Sequence, residues 1–172
     1  MDRPGWDEYF MRFAQLAAAR SSCVRTGGRK VGAVIVKSKQ LLATGYNGAP
    51  KGMAHCIDAG CIRDKLNIPS GTRHEMCRGT HAEQNAIIQA AYQGTSIRKA
   101  TLYTTLYPCT ICLKMIINAG IVEVVYLEDY PDPLSKELGM EAANLNMQTG
   151  MEIRRLKNYD PSKRMFAVSS HV

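Results

Sequence analysis

Two short motifs constrain the fold of this chain more than any other feature. The first is His81-Ala82-Glu83, and the second is Pro108-Cys109-Thr110-Ile111-Cys112. Zinc in proteins prefers tetrahedral ligation by nitrogen and sulfur, and a catalytic site keeps three protein ligands so that water can occupy the fourth position. His81, Cys109 and Cys112 supply such a set. The fold therefore has to bring the two motifs together.

Each motif is predicted to open a helix. Proline is favoured at the start of a helix, so Pro108 would place Cys109 and Cys112 on one face of the first turn, where the positive end of the helix dipole lowers thiol pKa values. Glu83 follows His81 by two residues, which is roughly 200° around a helix axis. We therefore expect His81 to bind the metal from the helix start, while Glu83 faces the bound water and acts as its base.

The two motifs in this order resemble the signature of the zinc-dependent cytidine/deoxycytidylate deaminase superfamily. The resemblance implies a catalytic zinc ion on His81, Cys109 and Cys112, with Glu83 as the catalytic residue that moves protons. Neither motif is specific alone, because Cys-x-x-Cys also occurs in redox and structural zinc sites. The alternative interpretation is a closed structural zinc site with Glu83 nearby by chance.

Hydrophobic periodicity in the rest of the chain predicts alternating helices and strands. The predicted helices are Trp6–Cys23, His81–Gln93, Cys109–Asn118 and Leu134–Asn146, and the predicted strands are Val31–Val36, Leu41–Tyr46, Ala100–Thr104, Ile121–Leu127 and Met151–Leu156. Such alternation indicates an α/β domain with a mixed sheet. The resemblance implies a three-layer cytidine-deaminase-like fold, in which a five-stranded mixed sheet carries helices on both faces. Residues 1–156 would form this deaminase domain, with an insertion at 47–80 that includes a short helix near 61–66, and residues 157–172 would form a C-terminal tail.

Charge and composition narrow the partners. The formal net charge of +7 suits an anionic partner, either a nucleotide or a nucleic acid. The sequence shows no apolar leader and no run near the ~20 apolar residues that a membrane span needs, so we expect a cytoplasmic protein without membrane contact. In a reducing compartment, its six cysteines are predicted to be metal ligands, buried thiols or reactive groups rather than disulfides.

The segment Gly45-Tyr46-Asn47-Gly48-Ala49-Pro50 is similar to the deoxycytidylate deaminase branch of the superfamily, as is the segment that begins at His81. This similarity implies hydrolysis of dCMP to dUMP and ammonia, a reaction that supplies dUMP for dTMP synthesis. It also implies that Asn47 contacts the nucleotide sugar, that Ala82 belongs to the substrate site and that Tyr130 lies at the substrate. Tyr130 is alternatively a half-buried residue that caps the strand Ile121–Leu127.

The substrate phosphate needs cationic partners, and the insertion offers four basic candidates: Lys51, Arg63, Arg73 and Arg78. Regulated members of the branch bind effectors such as dCTP or dTTP with Mg²⁺, and some carry an arginine where this chain has Tyr92. That departure leaves regulation open. The resemblance further implies a homo-oligomer, from dimer to hexamer.

Four cysteines and two histidines around the insertion are not used by the first zinc site. Structural zinc sites take four such ligands, and deaminases with an extended insertion can hold a second zinc ion. The resemblance points to Cys23 and Cys56, and we expect His74 and Cys77 to complete the set, with Cys61 as the competing ligand. The alternative is a set of buried free thiols.

Two other functions compete with nucleotide deamination. One is a nucleic-acid base deaminase, for example one acting on tRNA, which would flip its target base into the pocket. The chain lacks the aromatic and basic surface typical of single-strand binders, so a nucleic acid is not the expected partner. The other is a non-enzymatic, zinc-stabilised DNA-handling protein, and such a protein would not need Glu83.

Overall fold

The computed structural model describes residues 3–144 and 151–161. Its helices are α1 (Trp6–Ala18), α2 (Cys56–Ala59), α3 (Ile62–Lys65), α4 (Ala82–Tyr92), α5 (Thr110–Asn118) and α6 (Pro133–Asn144). Its strands are β1 (Gly32–Lys37), β2 (Gln40–Tyr46), β3 (Thr101–Leu106), β4 (Glu123–Glu128) and β5 (Glu152–Arg155), and a 3-10 turn spans His74–Met76. Within these residues, no helix combines the length and apolarity that a membrane crossing requires.

The strands form a five-stranded mixed sheet in the order β2-β1-β3-β4-β5, as predicted. β1 pairs antiparallel with β2 and with β3, whereas β3, β4 and β5 run parallel. Ser38 and Lys39 close the β1–β2 hairpin with left-handed backbone at φ 51° and 61°, the geometry that matches the twist of paired strands. Parallel neighbours need crossover connections, and α5 and α6 provide them.

Helices cover both faces of the sheet, which confirms the predicted layers. On one face, α1 buries four residues, and three of them belong to a cluster with strand residues: Phe10, Met11 and Ala14. On the other face, α4, α5 and α6 bury a second set: Ala86, Ala90, Leu113, Ile116 and Ala142. Strand residues alternate between the two faces, so Val34 joins the first cluster while Ala33 and Ile35 join the second.

α4 lies very close to the sheet. A Cβ atom at Gly45 on β2 would lie 2.1 Å from the carbonyl oxygen of Ala82 and 2.5 Å from the amide nitrogen of Ala86. These distances are too short for any side chain, so glycine is what allows α4 to lie directly on β2. The start of α4 is thereby fixed relative to the sheet.

The first helix is shorter than predicted, because α1 ends at Ala18 rather than at Cys23. Just beyond it, the hydroxyl of Ser21 donates to the carbonyl oxygen of Asn47 (2.9 Å) and accepts from the amide of Cys23 (3.2 Å). A serine side chain that bonds nearby backbone in this way competes with helical hydrogen bonds. The chain leaves the helix there and runs beside the insertion.

The insertion at 47–80 is anchored at both ends and in its middle. Gly48 and Thr80 form an antiparallel bridge with hydrogen bonds of 3.1 and 2.9 Å, which closes the insertion immediately before His81. The predicted short helix is present as α3, and the amide of Thr26 donates to the Asp64 carboxylate at 2.8 Å. The predicted extension of the last helix to Asn146 and most of the predicted tail, residues 162–172, lie outside the described residues.

Candidate metal centre and the cavity around it

The two motifs meet at the N-termini of α4 and α5. His81 and Cys109 are the N-cap residues of these helices, and Cys112 lies one turn into α5. The Nδ1 atom of His81 lies 3.3 Å from the sulfur of Cys109 and 3.4 Å from the sulfur of Cys112. The helix predicted at Cys109–Asn118 begins one residue later, at Thr110, because Cys109 itself is the N-cap of α5. The convergence of the three side chains does not depend on that detail.

These donors fit a zinc ion. Zinc–nitrogen and zinc–sulfur bonds of about 2.0–2.1 and 2.3 Å in a tetrahedral shell place nitrogen and sulfur roughly 3.6 Å apart, close to the observed separations. The side-chain oxygen of Gln84 accepts from the amide of His81 at 2.9 Å and fixes the histidine backbone at the helix end. The geometry is therefore set by helix caps.

The pKa values of the two thiols are shifted in opposite directions. A hydrogen bond from the Cys112 thiol, assisted by one from His81, lowers the pKa of Cys109 to about 4. The same hydrogen bond to Cys109, together with burial, raises the pKa of Cys112. Burial lowers the pKa of His81, but its hydrogen bond to Cys109 outweighs this and leaves that pKa above its ordinary value. Metal binding must therefore displace protons from Cys112 and His81.

Glu83 lies beside the three donors and is almost completely buried, with 4% of its surface exposed. One of its oxygens falls within 4.8 Å of the ligand atoms of His81 and Cys112. Burial raises the pKa of its carboxyl group, and the hydroxyl of Thr104 donates to the carboxylate at 3.1 Å. Thr104, on β3, is fully buried and was not predicted from the sequence. A carboxyl with a raised pKa and a fixed orientation is suited to proton transfer.

Beside the donors lies an open cavity of about 230 Å³, and all three predicted substrate residues line it: Asn47, Ala82 and Tyr130. The amide group of Asn47 donates to the carbonyl oxygen of Arg29 (2.9 Å) and accepts from the amide of Val31 (2.8 Å), so it also holds the entry to β1. Burial raises the pKa of Tyr130, whose hydroxyl accepts from the Gly71 backbone and Ser70 side chain.

His74, predicted to bind a second metal, lies instead at the first group. Its ring stands edge-on to that of His81, with centroids 5.4 Å apart, and lies 5.9 Å from the ring of Tyr130. Its nitrogens are buried and have no hydrogen-bond partner among the described residues, and burial lowers its pKa. Arg73, immediately before His74, adopts a left-handed backbone (φ 50°) that changes the direction of the chain. Sequence spacing does not predict such a turn, so it could not predict that His74 lies next to His81.

The four remaining cysteines lie near one another along the same cavity: Cys23, Cys56, Cys61 and Cys77. Burial raises the pKa of Cys23 and of Cys56, and the neighbouring thiols add to both shifts. All six cysteines of the chain are free thiols. Among the described residues, groups of three metal-binding atoms within 4.8 Å occur only around His81, so the four sulfurs are neighbours without forming a compact shell.

Asp132 holds the N-terminus of α5 through contacts outside the group of metal-binding side chains. Its role was also not predicted from the sequence. Its carboxylate accepts from the amide of Thr110 at 3.0 Å, from the hydroxyl of Thr110, and from the amide of Ser135 at 3.1 Å. It therefore bridges the N-termini of α5 and α6. Aspartate followed by Pro133 is a typical helix start, so the sequence could have predicted the cap of α6, although not the bridge to Thr110.

The four basic candidates for a phosphate site differ in whether they line the cavity. Arg63 and Arg78 line the cavity, whereas Lys51 and Arg73 are exposed and do not; Arg73 forms an ion pair with Glu75. Arg25, which was not among the candidates, lines the cavity as well. Its position in the loop after α1 gave no signal in the sequence, because that segment was predicted to border a helix.

Comparison with known proteins gives consistent matches. The model of the cytidine and deoxycytidylate deaminase zinc-binding region matches residues 4–128. A deoxycytidylate deaminase of Schizosaccharomyces pombe is 37% identical over 153 residues, which cover 89% of this chain and 44% of that protein. This chain thus spans less than half the length of that relative.

Two further relatives are matched over almost their full length. A deoxycytidylate deaminase of Mycobacterium phage D29 is 42% identical over 131 residues, which cover 73% of this chain and 97% of that protein. The crystal structure of a dCMP deaminase from the cyanophage S-TIM5, in complex with dCMP and dUMP, is 29% identical, with a TM-score of 0.65 over 91% of this chain and 100% of that one.

Proposed function

The chain belongs to the cytidine and deoxycytidylate deaminase zinc-binding family, and we propose that it hydrolyses dCMP to dUMP and ammonia. One observation carries the proposal: a buried carboxyl group, Glu83, lies next to one imidazole and two thiols at the wall of an open cavity. A purely structural zinc site would need neither the carboxyl nor the cavity.

In this proposal His81, Cys109 and Cys112 hold the zinc ion. When bound, zinc lowers the pKa of a coordinated water towards neutrality and so makes it a nucleophile at neutral pH. Glu83 takes one proton from the attacking water and delivers it to N3 of the cytosine ring, where it stays. It then takes the second proton from the hydroxyl added at C4 and delivers it to the departing amine, so that ammonia leaves and the C4 oxygen becomes the carbonyl of uracil. Thr104 keeps the Glu83 carboxylate oriented through its hydrogen bond, and burial favours the protonated form that the second transfer requires.

The nucleotide as substrate is supported by the similarity to a dCMP deaminase whose crystal structure contains dCMP and dUMP. Asn47, Ala82 and Tyr130 line the cavity next to Glu83, and we propose that they contact the sugar and base. Among residues 3–144 and 151–161, the Asn47 amide makes two hydrogen bonds, both to backbone groups, which leaves one N–H and one acceptor position for a ligand. Binding energy from the sugar and phosphate would position the base and thereby raise turnover as well as affinity.

A second zinc ion is a separate proposal. We place it among Cys23, Cys56, Cys61 and Cys77, because these four line one cavity and the neighbouring thiols contribute to the raised pKa values of Cys23 and Cys56. Cys61 replaces His74 in this set, since His74 packs against His81. Four thiolates complete a structural zinc shell, and the raised pKa values of Cys23 and Cys56 mean that binding would release protons.

The remaining properties are proposals that follow from the family. They are a deaminase domain at 1–156 with its insertion at 47–80 and a tail at 157–172, cytoplasmic location, homo-oligomers from dimer to hexamer, and effectors such as dCTP or dTTP with Mg²⁺. Tyr92, at the end of α4, is 85% exposed in the described chain. It is therefore available for contacts outside the protomer.

Ammonia release measured with deoxycytidine, dCMP, dCTP and a tRNA anticodon stem tests the proposed function. We expect the highest kcat/KM for dCMP, and for deoxycytidine a loss in both kcat and affinity. Equal kcat/KM for deoxycytidine and dCMP would contradict the nucleotide substrate. A strong preference for the folded RNA would favour base deamination in nucleic acid instead.

A further inference from the structure

His74 brings a second imidazole to the metal centre. One of its ring nitrogens lies within 4.8 Å of the ligand atoms of His81 and Cys109, and its ring stands edge-on to that of His81. Glu83 forms the corresponding group with His81 and Cys112. The two residues therefore approach the metal centre along different edges, and His74 lies at the edge that contains Cys109.

The edge that His74 approaches belongs to the wall of the cavity. His74, His81 and Cys109 all line the cavity, whereas Cys112 is completely buried. A zinc ion held by three protein ligands keeps a fourth position, which a catalytic site leaves to water. In this protein, the open cavity is the route by which a ligand reaches that position, and His74 stands beside it.

Both ring nitrogens of His74 are buried and have no hydrogen-bond partner among the residues that the structure describes. Buried polar atoms are normally satisfied by hydrogen bonds, and a neutral imidazole can instead use its free nitrogen to bind a metal. The ring therefore has an acceptor nitrogen to spare next to two proposed zinc ligands.

A small shift would bring His74 into contact with the metal. In a tetrahedral zinc shell, two nitrogen ligands lie about 3.3 Å apart and nitrogen and sulfur about 3.6 Å apart, so a separation of at most 4.8 Å leaves roughly 1.5 Å to close. His74 begins a 3-10 turn of three residues, and Arg73 before it has a left-handed backbone. Such a short turn adjusts more easily than the helices that begin at His81 and Cys109.

We propose that His74 is a displaceable fourth ligand of the zinc ion, bound while the cavity is empty; this inference rests on the proposed function. Two imidazoles and two thiolates complete the shell of a closed zinc site. The position that water needs is then occupied, so the site has no nucleophile until a nucleotide displaces His74. The ring of Tyr130, proposed to contact the substrate, lies 5.9 Å from that of His74, so a ligand bound there also meets His74.

Other roles of His74 predict different changes in affinity. If His74 contacts the substrate, its removal should weaken nucleotide binding. If it only fills space beside Tyr130, its removal should leave zinc affinity unchanged. As a displaceable ligand, His74 competes with the nucleotide for one position, so its removal should weaken zinc binding and tighten nucleotide binding.

The ligands can be counted without a variant and without turnover. In ¹⁵N-labelled protein loaded with ¹¹³Cd in place of zinc, an imidazole nitrogen bonded to the metal shows a scalar coupling to it. The proposed second zinc site contains no histidine and adds nothing to this count. We expect two coupled imidazoles in the ligand-free protein and one after addition of saturating dUMP. A single coupled imidazole in the ligand-free protein, or two in both states, would overturn the proposal.

Two matched variants then identify the second imidazole. His74→Ala should remove one coupling, weaken zinc binding at the metal centre by ~10-fold, measured by chelator competition, and tighten dUMP binding by ~3-fold or more. His55→Ala is the control, because His55 is exposed and contacts Ser22 (3.1 Å); it should keep both couplings and both affinities. Unchanged zinc affinity or weaker dUMP binding in His74→Ala would contradict the displaceable ligand. A wild type that shows the expected couplings but releases no ammonia from dCMP would contradict only the proposed function.

Discussion

The chain contains two groups of metal-binding side chains that are built in opposite ways. His81, Cys109 and Cys112 stand at the ends of two helices that pack on one face of the sheet. Cys23, Cys56, Cys61 and Cys77 come from a loop, from two four-residue helices or their ends, and from the end of a 3-10 turn. In the first group, the packing of the helices alone brings Nδ1 of His81 within 3.3–3.4 Å of both sulfur atoms. In the second group, the four sulfur atoms are neighbours but do not form a compact set. We infer that metal completes the first group and organises the second.

The largest effect is expected for Cys112→Ser. Removing a thiolate from the first group should abolish zinc binding there and reduce ammonia release by at least ~10³-fold, because the activated water is lost. The melting temperature should change little, since helix caps and core packing hold the site. Zinc per chain, turnover and thermal unfolding measured on one preparation check this. Full zinc occupancy in the variant would show that the ligands are misassigned.

The next effect is expected for Glu83→Gln. Glutamine keeps the size and the hydrogen bond from Thr104 but cannot transfer a proton, so turnover should fall by ~10²-fold or more while zinc content is unchanged. Steady-state kinetics with dCMP, combined with metal analysis, provides the measurement. Retention of most activity would remove Glu83 from the mechanism.

A third effect is expected for Cys23→Ser, which removes a thiol from the second group. Zinc should fall from two ions to one per chain, and the melting temperature should drop by about 5–10 °C, because metal binding supplies folding energy to the insertion. Turnover per folded molecule should fall far less than in Cys112→Ser. A zinc-replete wild type with a single zinc ion would instead leave these cysteines as buried thiols.

Asp132→Asn should have the smallest effect and a characteristic pH dependence. Losing charge-assisted hydrogen bonds to Thr110 and Ser135 should cost about 1–3 kcal/mol of unfolding free energy at neutral pH. Burial raises the pKa of Asp132, but the hydrogen bonds that it accepts outweigh burial and hold this pKa below its ordinary value.

A lowered pKa means that the carboxylate stabilises the fold at pH values above its unfolded-state pKa and loses this effect as the pH falls through its folded-state pKa. The difference between wild type and Asp132→Asn should therefore be constant from about pH 5 to 7 and shrink below about pH 4. Denaturant unfolding of chelator-treated proteins measures it without a contribution from zinc release. A difference that stays constant down to pH 3 would contradict the role of the charge.

The first group could be predicted from the sequence because its metal-binding residues lie at the starts of predicted helices. His81 and Cys109 are both helix caps, so motif spacing and helix periodicity carry the same information. Arg25, His74 and Asp132 were missed or misplaced because their positions depend on how irregular segments pack against each other. No periodic pattern encodes the direction of the chain at Arg73, or the path that brings the Arg25 guanidinium to the carbonyl oxygen of Ile68 (2.6 Å).

The close contact between Gly45 and α4 makes the active site sensitive to substitution at a residue that has no side chain and takes no part in catalysis. In a saturation mutagenesis screen for activity, Gly45 should tolerate substitution as poorly as the metal ligands, although it binds nothing. Even alanine would push Ala82 and Ala86 away from β2 and carry His81 and Glu83 away from the thiols on α5. Such inactive variants would be rescued, if at all, by changes that shift the whole helix, and a search for motifs would pass over the position entirely.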